Sequence, residues 1–205
     1  DYLKIYHVCV PFKVKTCTSM YQDYWRPWEE KLEDIWVRKL PQIAMTKKDF
    51  DFYKDDMWDY EFQEKLSRWI HKREKAKKTA VLVGIRTQES LHRWRAIHKE
   101  RESYYKGKKY SKKIDSNVYN FYPIYDWTTE DIWIANGKFG FEYNKLYDLY
   151  YQAGLPIDMM RVASPFLSEG QETLKLYKII EPHTWGKLVS RVNGVNFTGI
   201  YGGTS

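Results

Sequence analysis

The chain has 205 residues, enough for one substantial core, with 43% hydrophobic, 18% aromatic and 30% charged residues. Two cysteines with no Cys-x-x-Cys argue against a disulfide scaffold and against zinc or iron–sulfur sites of ordinary spacing, and no apolar run reaches membrane-spanning length. A net charge of +7 favours anionic ligands, whether nucleotide, nucleic acid or acidic surface, and a reducing cytoplasm is the expected setting.

The segment from Tyr2 to Pro11 has strand composition and is closed by Pro11. Residues 16 to 27 are aromatic-rich and irregular, in the manner of a loop with a helical turn; Ile35-Trp36-Val37 is too short to assign. From Asp55 to Lys75 the spacing of Trp58, Phe62, Leu66, Trp69 and Ile70 predicts a helix with one apolar stripe. Its basic tail, His71 to Lys78, suits a helix C-terminus, where cations oppose the dipole. Thr79 to Ile85 lacks alternation and predicts a strand buried on both faces. A second helix is expected from Glu89 to about Tyr105, and residues 107 to 120 read as a polar, basic loop. Tyr119 to Tyr125 predicts a short strand ending at Asp126. Thr128 and Asp131 have capping-box spacing, so a helix should run from Thr129 to Asn136 and break at Gly137 to Gly140. Asn144 caps a further helix with Leu146, Tyr147 and Tyr150 inward and Gly154 as terminator. Short helices follow at Gln171 to Ile180 and Trp185 to Val192; Asn193-Gly194 fits a hairpin turn or a helix stop equally.

Strands alternating with helices predict an α/β fold: an open, mostly parallel sheet flanked by helices, with a helical C-terminal extension. Only about three strands are visible, which leaves an open sheet edge and reads as an incomplete domain, a fragment whose edge further chain, a partner protein or a second copy would cover. In such sheets ligands sit beyond the carboxyl ends of the strands. Arg86, at the end of Thr79-Ala-Val-Leu-Val-Gly-Ile-Arg86, is therefore read as an anion clamp, the competing reading being a surface charge at a strand end. The later block Tyr122-Pro123-Ile-Tyr-Asp126-Trp127 repeats the strand-then-helix format.

These residues carry a resemblance. Gly84-Ile85-Arg86-x-x-Glu89-Ser90-x-x-Arg93, Pro123-Ile-x-Asp126-Trp127-Thr-x-x-Asp131-Ile-Trp133 and Asn144-Lys-Leu-Tyr147-Asp148 resemble, in order and spacing, three segments of the phosphoadenosine phosphosulfate (PAPS) reductase family. The flanks Cys9-Val-Pro-Phe and Trp25-Arg-Pro-Trp28 look like a prokaryotic and phage branch of that family, in which a domain of unassigned role follows the nucleotide fold. The resemblance implies an adenine nucleotide alpha-hydrolase-like domain with a Rossmann-like sheet over residues 1–154, with 155–205 beginning the next domain. It implies ATP or PAPS as ligand, with Mg²⁺, and a substrate site drawn from Gly84, Arg86, Glu89, Arg93, Asp126 and Trp127. Arg86 and Arg93 would meet phosphate or sulfate. Simpler roles stand beside these: Glu89 orients Arg86 or favours a helix N-terminus, Arg93 pairs with Glu89 at i, i+4, Asp126 and Asp131 fix a turn and a cap, and Trp127 packs.

The chain also departs from the family. The Ser-Gly-Gly-x-Asp-Ser phosphate loop of the superfamily is absent, and Tyr201-Gly-Gly-Thr-Ser205 echoes it at the wrong end. The reductase cysteine of Glu-Cys-Gly-x-His has no counterpart after Cys17, and the cysteine pairs that hold an iron–sulfur cluster in some relatives are missing. Cys9 sits in an apolar strand and reads as a small hydrophobe; Cys17, near Lys13 and Lys15, is the better candidate nucleophile. Sulfonucleotide reduction by this chain alone is not expected. With two more βα units upstream, roughly 60 residues, a full-length protein would regain the loop and could activate a substrate by adenylation. The alternative is a nucleic-acid-binding or defence-associated accessory protein on the same fold, suggested by the Lys106 to Lys113 run and the aromatic content.

Overall fold

The structure, a computed structural model, describes residues 4–98, 104–167 and 170–196. By contact the chain divides into two units, residues 1–62 with 144–205, and residues 63–143.

Among its described residues the first unit contains four two-residue strands, β1 (His7–Val8), β2 (Val14–Lys15), β3 (Tyr24–Trp25) and β4 (Ala44–Met45). β1 pairs in parallel with β4, and β2 pairs antiparallel with β3. The strand expected from Tyr2 to Pro11 therefore shrinks to two residues among those described. Cys9 and Val10 beyond it are nonetheless buried, because Cys9 N–H still bonds Met45 carbonyl at 2.8 Å. Of the loop expected over residues 16–27, residues 16–23 are irregular as expected, whereas Tyr24–Trp25 return as β3 of a hairpin with β2. Thr16 N–H bonds the Asp23 carbonyl at 3.0 Å, and the buried Thr16 and Thr18 hydroxyls bond each other at 3.0 Å, which satisfies polar groups that would otherwise resist burial. Phe12, Phe50, Phe52 and Phe62 form an aromatic cluster with centroids 5.3–5.5 Å apart.

Helix α1 (Asp59–Arg73) is four residues shorter at its start than its periodicity suggests, because Glu61 reaches back to the Trp58 N–H at 2.9 Å and fixes the first turn there. It begins in the first unit and ends in the second. There Arg68 pairs with Asp115 at 3.1 Å and His71 Nδ1 lies 2.8 Å from Thr79 Oγ1, fastening the helix to strands β5 (Thr79–Leu82) and β6 (Ser111–Asp115).

The second unit is a three-stranded sheet in the order β5–β7–β6, with β7 (Val118–Phe121) in the middle. β5 and β7 run parallel with Leu82 opposite Phe121; β6 joins β7 antiparallel. Two expectations fail in this sheet. Residues 107–120 are not one loop: after turns at 107–110, buried Ser111 and half-buried Lys112 and Ile114 interleave with exposed Lys113 and Asp115, so the end of the basic run, Lys112 and Lys113, lies on an edge strand of a hairpin. Nor is β5 buried on both faces, since Ala80 and Leu82 are exposed, Leu82 by 72%, while Thr79 and Val81 are half-buried. Apolar content disguised the alternation that a strand imposes.

The single helix expected from Glu89 is also divided. A 3-10 turn at Thr87–Glu89 is followed by extended Ser90, whose hydroxyl accepts from Arg93 N–H at 3.2 Å, before α2 (Leu91–His98) begins. The remainder of that expected helix, residues 99–103, lies outside the described residues. α3 (Thr129–Phe139) starts at the capping box and runs through Gly137 to Gly140, whose left-handed φ of 65° ends it.

Three α-helices follow among the described residues of the first unit, α4 (Leu146–Gln152), α5 (Gln171–Ile180) and α6 (Pro182–Arg191). Asn144 Oδ1 accepts from Leu146 N–H at 3.0 Å, and Tyr150 is buried, as the spacing predicts. α6 opens three residues earlier than its apolar pattern because Pro182 sits at a helix start, where its missing N–H costs nothing. Gly194, at φ 97°, settles Asn193-Gly194 as a stop after α6. Phe166, Leu174, Leu188, Val192 and Val195 form the core of this unit, with Trp25 and Val37 against it. The chain has an α/β fold of Rossmann-like character with parallel strand pairs and helices toward its C-terminus, and no described helix is long and apolar enough to cross a membrane.

Candidate functional site

Because β5 and β7 are parallel, their carboxyl ends lie side by side, and the chain leaving each is joined to the other by backbone hydrogen bonds. Val83 N–H donates to Phe121 carbonyl at 2.8 Å, and Thr87 N–H to Tyr125 carbonyl at 2.8 Å. Arg86 lies between these two links in extended backbone. Its side chain is only 14% exposed.

The Glu89 carboxylate closes the turn. One oxygen accepts from Arg86 N–H at 3.1 Å, the other lies 3.5 Å from Arg86 Nε, and Arg93 Nη1, one helical turn on, also bonds this carboxylate. Both simple readings of Glu89 and Arg93 are thus realised together: Glu89 orients Arg86, and Arg93 is its i, i+4 partner. Two guanidinium groups share one carboxylate, which leaves a local excess of positive charge at the strand ends.

The remaining reach of Arg86 goes to the second segment. Arg86 Nη1 donates to Gln88 Oε1 at 3.2 Å and to Thr129 Oγ1 at 3.3 Å. Gln88 Oε1 also accepts the Thr129 backbone N–H at 2.8 Å. Thr129 is the first residue of α3 and is buried, so a glutamine oxygen occupies one of the unpaired N–H groups at that helix N-terminus. Sequence reasoning did not single out Gln88 or Thr129 as site residues. Gln88 lies within the Arg86–Glu89 motif and Thr129 beside the capping threonine, but only the parallel pairing of β5 with β7 brings them together.

The other sequence-predicted residues are placed as follows. Asp131 caps α3, accepting from Thr128 N–H at 2.8 Å and from its hydroxyl at 2.9 Å, and the backbone bond holds its carboxyl below the usual range. Asp126 is exposed and its carboxylate has no hydrogen bond or ion pair among the described residues. The turn it was expected to fix is closed instead by backbone bonds, Tyr125 N–H to Tyr122 carbonyl at 3.3 Å and Trp127 N–H to Ile124 carbonyl at 3.1 Å. Trp127 is half-buried beside it. Gly84 is exposed, and a Cβ there would meet only Ile124 Cδ1 at 3.9 Å, an ordinary contact, so local space does not require glycine.

Of the two thiols, Cys9 is buried and its pKa is raised by burial, in keeping with a small hydrophobe; Cys17 is exposed. Among the described residues no group of three or more His, Cys, Asp or Glu gathers to hold a metal ion. The Gly-Gly-Thr-Ser echo at residues 202–205 lies outside the described residues.

Comparison with known proteins places this geometry. Residues 35–153, more than half of the chain, match the model of the phosphoadenosine phosphosulfate reductase domain, and residues 154–205 match a domain of unknown function, DUF3440. The chain is 36% identical over 203 residues to "Uncharacterized protein YbdN" of Escherichia coli (strain K12), an alignment covering 98% of this chain and 49% of that protein. The chain thus spans about half the length of the curated relative it matches. No solved structure matches. The ordered motifs, the parallel strand pair that brings them together and the matched domain agree: the chain belongs to the phosphoadenosine phosphosulfate reductase domain family.

Proposed function

We propose that this chain binds the anionic end of an adenine nucleotide or sulfonucleotide, ATP or PAPS, at the carboxyl ends of β5 and β7, with Arg86 as the principal contact and Arg93 as the second. The observation that carries this reading is the shielded Arg86 guanidinium, fixed on one side by Glu89 and bonded on the other to the first residue of α3. A guanidinium so restrained has less side-chain entropy to lose on meeting a tetrahedral oxyanion. A phosphate or sulfate oxygen could replace Gln88 Oε1, which now accepts from both Arg86 and the α3 N-terminus. Glu89 acts by position, and Asp126 and Trp127 flank the approach.

Within this reading residues 1–154 belong to the nucleotide-binding domain, residues 155–205 begin the next one, and the full-length protein works in the cytoplasm. The reaction class proposed for it is activation: a substrate oxygen attacks the α-phosphorus of ATP, the bond to the β-phosphate oxygen breaks, and pyrophosphate leaves. The described residues do not build a Mg²⁺ cage, so a magnesium ion fits best as a companion of the nucleotide phosphates. Calorimetry of the full-length protein with ATP, adenylyl sulfate and PAPS tests the proposal. At least one should bind, and Arg86→Ala should weaken it by roughly tenfold or more. No binding of any of the three, or an unchanged affinity in the Ala variant, would refute it.

A second reading rests on the β6–β7 hairpin. Lys106, Lys108 and Lys109 are exposed in the turns leading into it and Lys113 on β6, and Tyr110 stacks on Tyr125 with rings 13° apart while remaining 38% exposed. Exposed cations beside a partly open aromatic stack suit single-stranded nucleic acid. This is the accessory-protein alternative, and its mark would be affinity falling steeply with added salt. Affinity for DNA or RNA that ignores salt would discard it.

A further inference from the structure

The first unit contains a cavity of about 170 Å³, lined in part by the Trp25-Arg-Pro-Trp28 flank and by none of the strand-end motif residues. Its walls are Trp25, Trp28 and Trp36, with Pro27 and Val37 between them. Two of the indoles are pinned: Trp28 Nε1 donates to Arg38 carbonyl at 3.0 Å, and Trp36 Nε1 to Glu29 carbonyl at 2.8 Å. Trp25 is held edge-on against Phe166 of the core at 5.0 Å. The ring faces are therefore set before anything binds, and a flat guest would not have to order them.

A buried cation lines the same cavity. Arg191 closes α6 with its side chain 2% exposed. Among the described residues its guanidinium donates to Arg26 carbonyl, and its nearest carboxylate oxygen, on the partly exposed Glu29, is 3.9 Å away. Five N–H donors with one carbonyl, one distant carboxylate and the Trp25 ring 5.8 Å from the guanidinium leave a buried charge only partly compensated. Burial accordingly pulls its pKa down, with Glu29 opposing. Arg38, on the same wall, extends into solvent with its side chain 74% exposed and Glu181 3.9 Å away.

Size and charge select the guest. A cavity near 150 Å³ accommodates a benzene ring, whereas clefts for drug-sized molecules begin at about 300 Å³. A whole nucleotide is too large, and one ring fits. Aromatic boxes often take ammonium groups, but here the buried guanidinium repels a cation. A neutral ring would leave Arg191 as poorly paired as before. We infer that this cavity is a ligand site for a small flat aromatic acid, its ring against the tryptophans and its carboxylate on Arg191 and Arg38.

Three probes of one shape and different charge test the assignment on the full-length protein: benzoate, benzyl alcohol and benzylammonium, titrated while tryptophan fluorescence and the indole N–H signals are followed. Benzoate should saturate and shift the indole signals, benzyl alcohol should bind roughly tenfold or more weakly, and benzylammonium should not saturate. Arg191→Met should weaken benzoate by roughly tenfold to a hundredfold. Because that substitution removes a buried side chain and can unfold the protein, two gentler variants accompany it. Arg38→Ala, at an exposed position, should weaken benzoate several-fold, and Val37→Phe should fill the space and abolish binding. Absence of saturable benzoate binding overturns the inference, as does equal affinity for all three probes. Benzoate affinity left unchanged by both Arg38→Ala and Val37→Phe overturns it too.

Discussion

Replacing Glu89 by alanine tests the architecture of the strand-end site directly. The carboxylate is 17% exposed and serves three groups: the Arg86 backbone N–H at 3.1 Å, Arg86 Nε at 3.5 Å, and Arg93 Nη1. A hydrogen bond to a shielded charged acceptor contributes about 1.5–3 kcal/mol, and the low end suits a site that water can still reach. The longer Arg86 pair and the Arg93 pair, whose arginine side chain is 39% exposed, are screened and add about 0.5 kcal/mol each. Glu89→Ala should therefore destabilise the chain by about 2–3 kcal/mol, a fall in Tm of roughly 5–10 °C for a protein of this size. Glu89→Gln keeps an acceptor for the Arg86 N–H and loses the charge, so it should cost about half as much. Thermal melts of wild type and both variants at low and moderate salt would separate the terms, because the Ala–Gln difference is insensitive to salt and the remainder is not. If Glu89→Ala falls within 0.5 kcal/mol of wild type, the carboxylate is merely a favourable residue at a helix start and does not organise Arg86.

Two glycines of α3, three positions apart, should respond with opposite sign. Gly140 has φ 65° and no atom within 4 Å of an added Cβ, so Gly140→Ala should cost about 1 kcal/mol of backbone strain alone. Gly137 lies inside the helix in equally open space, so Gly137→Ala should stabilise by about 0.5–1 kcal/mol; denaturant titrations giving the same sign for both would contradict the assigned helix end. Asp131 supplies the pH test. Its folded pKa lies below the ordinary 3.8 because the Thr128 N–H donates to it, so its contribution is complete above that value and disappears as pH falls through the folded pKa. A carbon-detected titration of the Asp131 carboxyl should therefore give a midpoint below 3.8, and Asp131→Asn should flatten the acid limb of the stability profile. An unshifted midpoint would remove the capping argument.

How much of this was legible in the sequence depends on the range of each hydrogen bond. The Thr128–Asp131 box, the Glu89–Arg93 pair and the bounds of α5 all involve partners within four residues, and helical spacing encodes those contacts directly. The β6–β7 hairpin was obscured because its two-residue alternation is carried by lysines, whose charge suggested a loop, although their long stems half-bury readily. Thr129 bonds Arg86 across 43 positions, and Arg191 reaches the Arg26 carbonyl across 165; no local period reports either. The same split runs through Arg86 itself. Its Glu89 half could be anticipated from motif spacing, whereas its Thr129 half exists only because β5 and β7 are parallel neighbours. The nonlocal half is the one that matters for an anion. Glu89 sets where the guanidinium begins, but Gln88 and Thr129 set where its outer nitrogen points, at the start of α3, where the proposed anion would be met.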